Sequence, residues 1–489
     1  MDIDGSRGGA NVLGAGPVAR AMANNLAALF TSRACVWVLQ LLAVAVMAAH
    51  LGPRRFGIYE FGIAFAGLFR LVPNFGFGEV AARDIAQNPR LEREVIPNLL
   101  YLRLLLGVGA YGGLAVTASL VGYAPENRRA VLVAGVLLLL AVDSFRTVLE
   151  VRMRQAWTAI ADVLEAVTIL AGVLVLVRLD GDVISFVWTY VAANAVGAGF
   201  VALVALVLAD FRWRVRPPLF VSLTRAAAPL AAAALFIKLY SRIDIAMLAR
   251  LKPPGDVGQY GAAYEFLVNF FAVPGILMSV LLPVLARSFA EGLPVLARRY
   301  QRALHLFSLI AFPVAIGGAM TAWRALPALP GFASYEGAGV ALSILAPAAG
   351  LSLLGSAVQG ALISGHLQRR LLVISAGGFV LNLALNVALI PPFSYVGAAV
   401  ATGVTEVLTL GWSMVEAHRR LGLAWPLRRL RGLGLANLAL VAVLVPGYAL
   451  HPFVQVALGA AVYCAVLGPI GVLSRADVAD VLPRRTNVP

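Results

Sequence analysis

The chain reads as an all-α polytopic membrane protein of about 14 transmembrane helices, arranged as two six-helix lobes in parallel pseudo-repeat plus two C-terminal helices. Three observations predict this. The 489 residues are 61% hydrophobic and 13% charged, with a mean hydropathy of +0.86. That is more apolar surface than a soluble fold of this size buries. Long apolar runs alternate with short loops. Of the 39 Lys and Arg, 25 fall in the termini and even-numbered loops, 8 in the odd-numbered loops and 6 inside the spans. An odd/even bias of this kind marks a multi-pass protein with both termini in the cytoplasm.

The expected spans are 26–50, 57–80, 98–122, 130–150, 157–178 and 183–208, then 226–249, 257–285, 303–325, 338–364, 370–390 and 395–417, and finally 433–450 and 452–473. Each of the first twelve, at 1.5 Å per residue, is long enough to cross roughly 30 Å of hydrocarbon. The organisation follows: a cytoplasmic tail at 1–25, an N-lobe at 26–225, a C-lobe at 226–430, two further spans in 431–473 and a second tail at 474–489. No loop is long enough to be a domain. The amino-terminal segment carries Asp2 and Asp4 and no apolar run before a cleavage site, so the first span reads as retained.

An internal repeat appears at an offset of about 200 residues. Leu51-Gly52-Pro53 and Gly57-Ile58-Tyr59 recur as Leu251-Lys252-Pro253 and Gly258-Gln259-Tyr260. Ala82-Arg83-Asp84-Ile85-Ala86 recurs as Ala286-Arg287-Ser288-Phe289-Ala290. Six spans separate the copies, an even number, so both halves share one orientation. Secondary transporters carry such repeats, with the substrate site where the halves meet.

The six cations inside spans are the candidates for function. Arg103 and Arg146 lie near cytoplasmic ends, where a long side chain can snorkel to water. Arg33 and Arg242 are intermediate in depth, and Arg70 and Lys238 are near mid-span. A base at the bilayer centre costs roughly 2.5–3.5 kcal/mol, so it should face a hydrated interior or a carboxylate. Arg70, Lys238, Arg242 and Arg33 are therefore the expected lining of an anion-binding cavity, the alternative being internal ion pairs that hold the bundle. Asp143, Asp162, Glu165, Asp244, Glu265 and Glu406 all fall within or near spans; Asp244, Glu265, Asp143 and Glu406 are candidates for ion coupling, the alternative for each acid being a salt bridge. Asp143 is three residues from Arg146 and could pair with it locally. Asp244, about 200° around the helix from Arg242, must face elsewhere. Pro73, Asn74 and Gly76 suggest a kink beside Arg70.

Other chemistry finds little support. The net charge of +15 fits cytoplasmic loops beside anionic headgroups better than nucleic-acid binding. Cys35 and Cys464 each fall within a span, and the five histidines lack metal-ligand spacing, so neither metal nor cofactor is expected. There is no phosphate-binding loop for ATP. Asp180-Gly181-Asp182 reads as turn chemistry rather than a transferase motif.

Several segments resemble a known family. The run Leu381-Asn382-Leu383-Ala384-Leu385-Asn386-Val387-Ala388-Leu389-Ile390-Pro391, followed by Gly397-Ala398-Ala399, Ala401-Thr402 and Glu406, is similar to the Wzx-type oligosaccharide flippases. These belong to the multidrug/oligosaccharidyl-lipid/polysaccharide exporter superfamily. Arg242-Ile243-Asp244, Met247-Leu248 and Gly258-Gln259-Tyr260 resemble that family's stretch across spans seven and eight, and Leu51-Gly52-Pro53 with Phe56-Gly57-Ile58-Tyr59 its first loop. The resemblance implies two lobes around a V-shaped cavity and alternating access. It implies transport, not catalysis: a polyprenyl-pyrophosphate-linked oligosaccharide moves from the cytoplasmic to the outer leaflet for surface polysaccharide export. The implied partners are that lipid-linked sugar, membrane lipids, and polysaccharide polymerase or assembly proteins. The many buried acids depart from a purely cationic lumen. A small-molecule or drug exporter of the same superfamily, a membrane-embedded glycan polymerase and an assembly scaffold are the competing readings.

Overall fold

The computed structural model describes residues 16–141, 143–425 and 427–468. Its elements are α1 (Gly16–Phe69), α2 (Leu71–Asn74), α3 (Phe77–Gln87), α4 (Glu92–Leu120), α5 (Pro125–Gly135), α6 (Asp143–Val151), α7 (Gln155–Arg178) and α8 (Val183–Leu208). There follow α9 (Pro217–Leu251), α10 (Pro254–Glu291), α11 (Leu293–Ala325), α12 (Glu336–Ser364), α13 (Gln368–Leu421), α14 (Leu427–Leu444) and α15 (Pro452–Leu467). Among the described residues there is no strand. Among the described residues, eight helices are long and apolar enough to cross a membrane, or nine if the pair bent by 44° across Leu139 and Ser144 is one span.

Two of these helices are each a pair of spans. At 54 residues, α1 and α13 would reach ~81 Å if straight, far beyond a hydrocarbon core of ~30 Å. Each breaks internally, α1 at Gly52 (φ 65°, ψ 171°), about two thirds of the way along, and α13 at Ser394 (φ 51°, ψ −131°), near its middle. Gly52 costs little there because it has no Cβ. With each arm counted separately, the helices follow the fourteen expected segments in order. Several run past the expected ends: α9 begins at Pro217 and α11 at Leu293. Their added turns carry Arg and Ser on the polar side of the boundary, which hydropathy alone does not register as helix.

The fourth span is not a continuous helix: α5 ends at Gly135, a 3₁₀ turn covers Val136–Leu139, and α6 restarts at Asp143. Gly107 of α4 backs this break, since a Cβ there would sit 2.2 Å from the Leu138 carbonyl oxygen. Only glycine lets the two backbones approach so closely.

Packing explains the arrangement. Helices α1–α8 pack chiefly among themselves, as do α9–α13, while α14 and α15 pair with each other and lean on α11. The groups meet where α1 crosses α10 and α9. At the end of the bundle that holds the Gly52 break, a single apolar core unites them, running from Phe56 and Phe61 through Tyr260 to Leu345 and Ala398. At the opposite end the core divides. Phe77, Ile96, Leu149 and Ala205 belong to one cluster, and Leu285, Leu304, Val358 and Ala417 to another. The start of α9 joins the first cluster through Leu223 and Ala227.

The crossing of α1 and α10 is closest at the repeated motif. A Cβ on Gly57 would lie 1.9 Å from the Pro254 carbonyl oxygen, and one on Gly258 would lie 1.9 Å from that of Pro53. The two copies of the repeat thus pack against each other reciprocally. At the divided end, Asn98 straps the segment joining the two groups. Its side chain donates to the carbonyls of Glu94 (2.8 Å) and Arg214 (3.0 Å) and accepts from the Arg216 N–H at 2.7 Å. Glu94 adds ion pairs to Arg216 at 2.7 Å and Arg212 at 3.5 Å.

Gly258→Ala should destabilise the protein by about 1–3 kcal/mol, the usual cost of forcing extra volume into a packed contact. Gly67→Ala, with nothing within 4 Å of its Cβ, is the control. A lower melting temperature in detergent for Gly258→Ala alone is the expected result.

Candidate functional site

The seam between the two helix groups carries a set of charged side chains, Glu60 and Asp244 buried, Arg242 and Glu265 half-buried. Arg242 projects from α9 with its guanidinium 4.9 Å from the centre of the Tyr264 ring. It interacts electrostatically with Tyr264, Glu265, Glu60 and Asp244. Glu60, on the second arm of α1, is 3% exposed. It fits because α10 presents Gly261 to it; a Cβ there would come within 2.6 Å of the Glu60 Cγ. Glu60 in turn interacts with Glu265 and Arg242. One guanidinium is therefore shared by two carboxylates from opposite groups of helices. With all three ionised the set carries one net negative charge.

Asp244, two residues along α9, is fully turned to the protein interior. Its carboxylate accepts from the Tyr260 hydroxyl and from the Ile245 N–H at 2.8 Å. Thus it leans on α10, as its angular distance from Arg242 requires. Glu406 on α13 is half-buried and interacts electrostatically with Tyr264.

A second charged set lies within the first group. Arg70, Arg146, Glu165, Tyr190 and Asn194 line a cavity of about 200 Å³. Two broken helices frame it. The second arm of α1 stops at Phe69, α2 spans one turn, Gly76 turns through the left-handed region (φ 74°), and α3 restarts at Phe77. Beside it lies the break between α5 and α6, whose Leu137 and Leu140 complete the wall. Discontinuous helices are tolerated at membrane depth only where protein or a polar cavity satisfies the backbone. Tyr190 links the two sets. It interacts electrostatically with Arg70 and Glu165 on one side and with Glu265 and Arg242 on the other, and its ring meets Tyr59 edge-on at 6.4 Å.

The structure brings Arg70, Arg242, Glu265, Asp244 and Glu406 to this region. Arg33 is exposed on the first arm of α1. The side chains of Lys238 and Asp143 lie outside the described residues. Arg146 does not snorkel; it pairs with Asp162 of α7 at 2.9 Å. Arg103 does not snorkel either. It is 5% exposed and donates to the Ser144 hydroxyl at 3.3 Å, held where the interior supplies hydrogen-bond acceptors. Sequence reasoning missed Glu60, Tyr190 and Tyr264. Glu60 was within reach, since it directly follows the repeated Gly57-Ile58-Tyr59. Among the described residues, no three His, Cys, Asp or Glu come together to hold a metal ion.

Comparison with known proteins places this geometry. Residues 22–289, more than half of the chain, match the family described as "Polysaccharide biosynthesis protein". No curated protein matches the chain by sequence. Among solved structures, the lipid II flippase MurJ in an inward closed conformation is similar with a TM-score of 0.74 at 14% identity, covering 90% of this chain and 96% of that one. A multidrug resistance MATE family transporter of the MOP superfamily, inward-facing, gives a TM-score of 0.62 at 15% identity over 78% of this chain and 95% of that one. An outward-facing one gives 0.52 at 14% identity over 79% and 96%. At such identities the likeness is one of fold.

The Arg146–Asp162 pair offers a direct check on the cavity wall. Arg146→Ala and Asp162→Ala should each destabilise the protein, and the double variant should cost less than their sum by about 1–2 kcal/mol. Additive effects in a double-mutant cycle of unfolding would show that the pair does not couple.

Proposed function

Since this chain belongs to the polysaccharide biosynthesis protein family, we propose that it flips a polyprenyl-pyrophosphate-linked oligosaccharide from the cytoplasmic to the outer leaflet of a bacterial plasma membrane by alternating access. The observation that carries this reading is the pairing of two features. Two cations within the spans, Arg242 on the seam between the helix groups and Arg70 in the cavity beside it, both interact with Tyr190. That seam is fused at one end of the bundle and divided at the other. By the distribution of basic residues the divided end is cytoplasmic, so the arrangement corresponds to a state that loads from inside.

The chemistry then follows from what each part of the substrate needs. The polar head requires a wet, basic route, and guanidinium groups supply charge-assisted contacts to a pyrophosphate. Arg242 is not a free cation, because Glu60 and Glu265 share it. A diphosphate arriving at Arg242 must compete with the attraction of both carboxylates for it. That competition loosens the contact between the second arm of α1 and α10, which is the contact that has to part for the outer side to open. Substrate binding and opening of the closed end are thereby linked through one guanidinium. Asp244, Glu265, Glu406 and Asp143 are the candidates for an ion that resets the carrier, and Arg33 and Lys238 for the approach to the cavity.

Moving about two negative charges outward through an inside-negative potential gains roughly 4–5 kcal/mol per 100 mV. The potential alone can therefore drive much of the step. A second reading draws support from the excess of acid at the seam: Glu60, Glu265 and Asp244 suit a small cationic substrate, as in a drug exporter.

Two tests separate these readings. In proteoliposomes, Arg70→Gln and Arg242→Gln should each slow flipping of sugar-linked polyprenyl pyrophosphate by about tenfold or more at unchanged protein content, the scale of one lost charge-assisted contact. Full activity in both variants removes them from the site, and efflux of a lipophilic cation without flipping establishes the exporter instead. Collapsing the potential with the proton gradient held should slow flipping markedly; an unchanged rate rules out the proposed drive.

A further inference from the structure

Outside the charged seam lies an apolar groove formed jointly by the two helix groups. One wall is a stripe on the second arm of α1 and the turn after it, Phe65, Leu68, Phe69 and Val72. The facing wall is a stripe on α9, Leu239, Ile243, Met247 and, at its end, Arg250. Both stripes recur at helical spacing, so each is one face of a helix. Tyr123 crosses between the groups, its hydroxyl donating to the Ala246 carbonyl at 3.5 Å. The groove opens to the protein surface: Val72 is 41% exposed and Arg250 is exposed. Phe69 and Ile243 are the immediate chain neighbours of Arg70 and Arg242, so the groove runs beside the polar route and on the other side of the same two helices.

Its length and the basic residue at one end point to its occupant. From Leu239 to Arg250 the helix rises ~16 Å, the hydrocarbon depth of one leaflet. By the basic-residue topology that leaflet is the outer one. The cavity, about 490 Å³ and open to the surface, is an elongated slot along those ~16 Å. Arg250 is held at the outer mouth by donation from its Nε to the Val121 carbonyl at 3.1 Å. A ligand with an anionic head and a single long apolar tail matches this shape and charge.

We propose that the groove between α1 and α9 receives one isoprenoid tail of a polyprenyl phosphate-type lipid in the outer half of the membrane, with its phosphate at Arg250. The assignment rests on the flippase reading and adds where the transported lipid leaves the protein. It places the tail at the seam itself, so that the parting of α1 from α9 and the passage of the head share one opening.

The test measures binding apart from transport. The full chain carrying photoreactive p-benzoylphenylalanine at Thr117, a lining residue on α4, is placed in nanodiscs and irradiated with labelled polyprenyl phosphate or labelled phosphatidylglycerol. The same probe at Leu203, on the lipid-facing side of α8 and 62% exposed, serves as the control. The polyprenyl adduct at Thr117 should exceed the phospholipid adduct by about tenfold, Arg250→Gln should lower it by about tenfold, and Leu203 should show no preference. Equal labelling by both lipids, preference for the phospholipid, or indifference to Arg250→Gln overturns the assignment. If sugar-lipid flipping persists alongside such a result, the groove is wrong and the function stands. Selective labelling of a protein that flips no sugar-lipid supports the groove and sinks the flippase reading.

Discussion

The structure depends on one close contact, the crossing of the second arm of α1 and α10 at their first turns. Gly57 and Gly258 each bring a backbone against the carbonyl oxygen of a proline residue in the other copy of the repeat. With no driving force from water inside a bilayer, helices associate through packing that small residues make possible. Everything around the crossing is arranged by it. Glu60 enters against Gly261, Tyr335 of the α11–α12 connection donates to the Ala48 carbonyl at 3.1 Å, and the apolar core is continuous across both helix groups only at this end.

The charges at the seam carry a cost that this packing must support. Arg242, Glu60 and Glu265 are drawn from both groups and lie out of bulk water, where an unpaired charge would be far more expensive than a shared one. Each carboxylate is kept in place by the neighbouring crossing, and each helps to fix Arg242 in turn. With two acids and one base, the cluster divides a single guanidinium's attraction between two carboxylates, a balance that depends on their charge. An arriving anion or proton changes that balance, which makes the cluster a point where ligand and conformation exert force on each other.

Much of this was legible in the sequence because it is written in long-range patterns. Fourteen apolar segments, alternation of basic loops and the repeat at about 200 residues required only counting, and they fix the class, the order of helices and the pairing of the two copies. Arg70 and Arg242 stood out because a cation in hydrocarbon is expensive. What was not legible lies in close backbone approaches. Nothing in Val136–Leu139 marks a 3₁₀ turn; the break rests on Gly107, some thirty positions away. Likewise Arg146 pairs with Asp162 on the next helix, a contact set by tertiary geometry that spacing along one span does not reveal. Arg103 was expected to reach water because depth along a span was the only guide, whereas its surroundings decide its course.

The strap at Asn98 has a mechanical corollary. Because its amide and the Glu94 carboxylate seize the connector on both sides of Trp213, that connector is no slack leash between moving bodies. It behaves as a pivot anchored in the first body, and any swing of the second must be taken up within α9 itself, between turns moored to one core and turns moored to the other. A single long rod thus acts as the torsion bar of the machine.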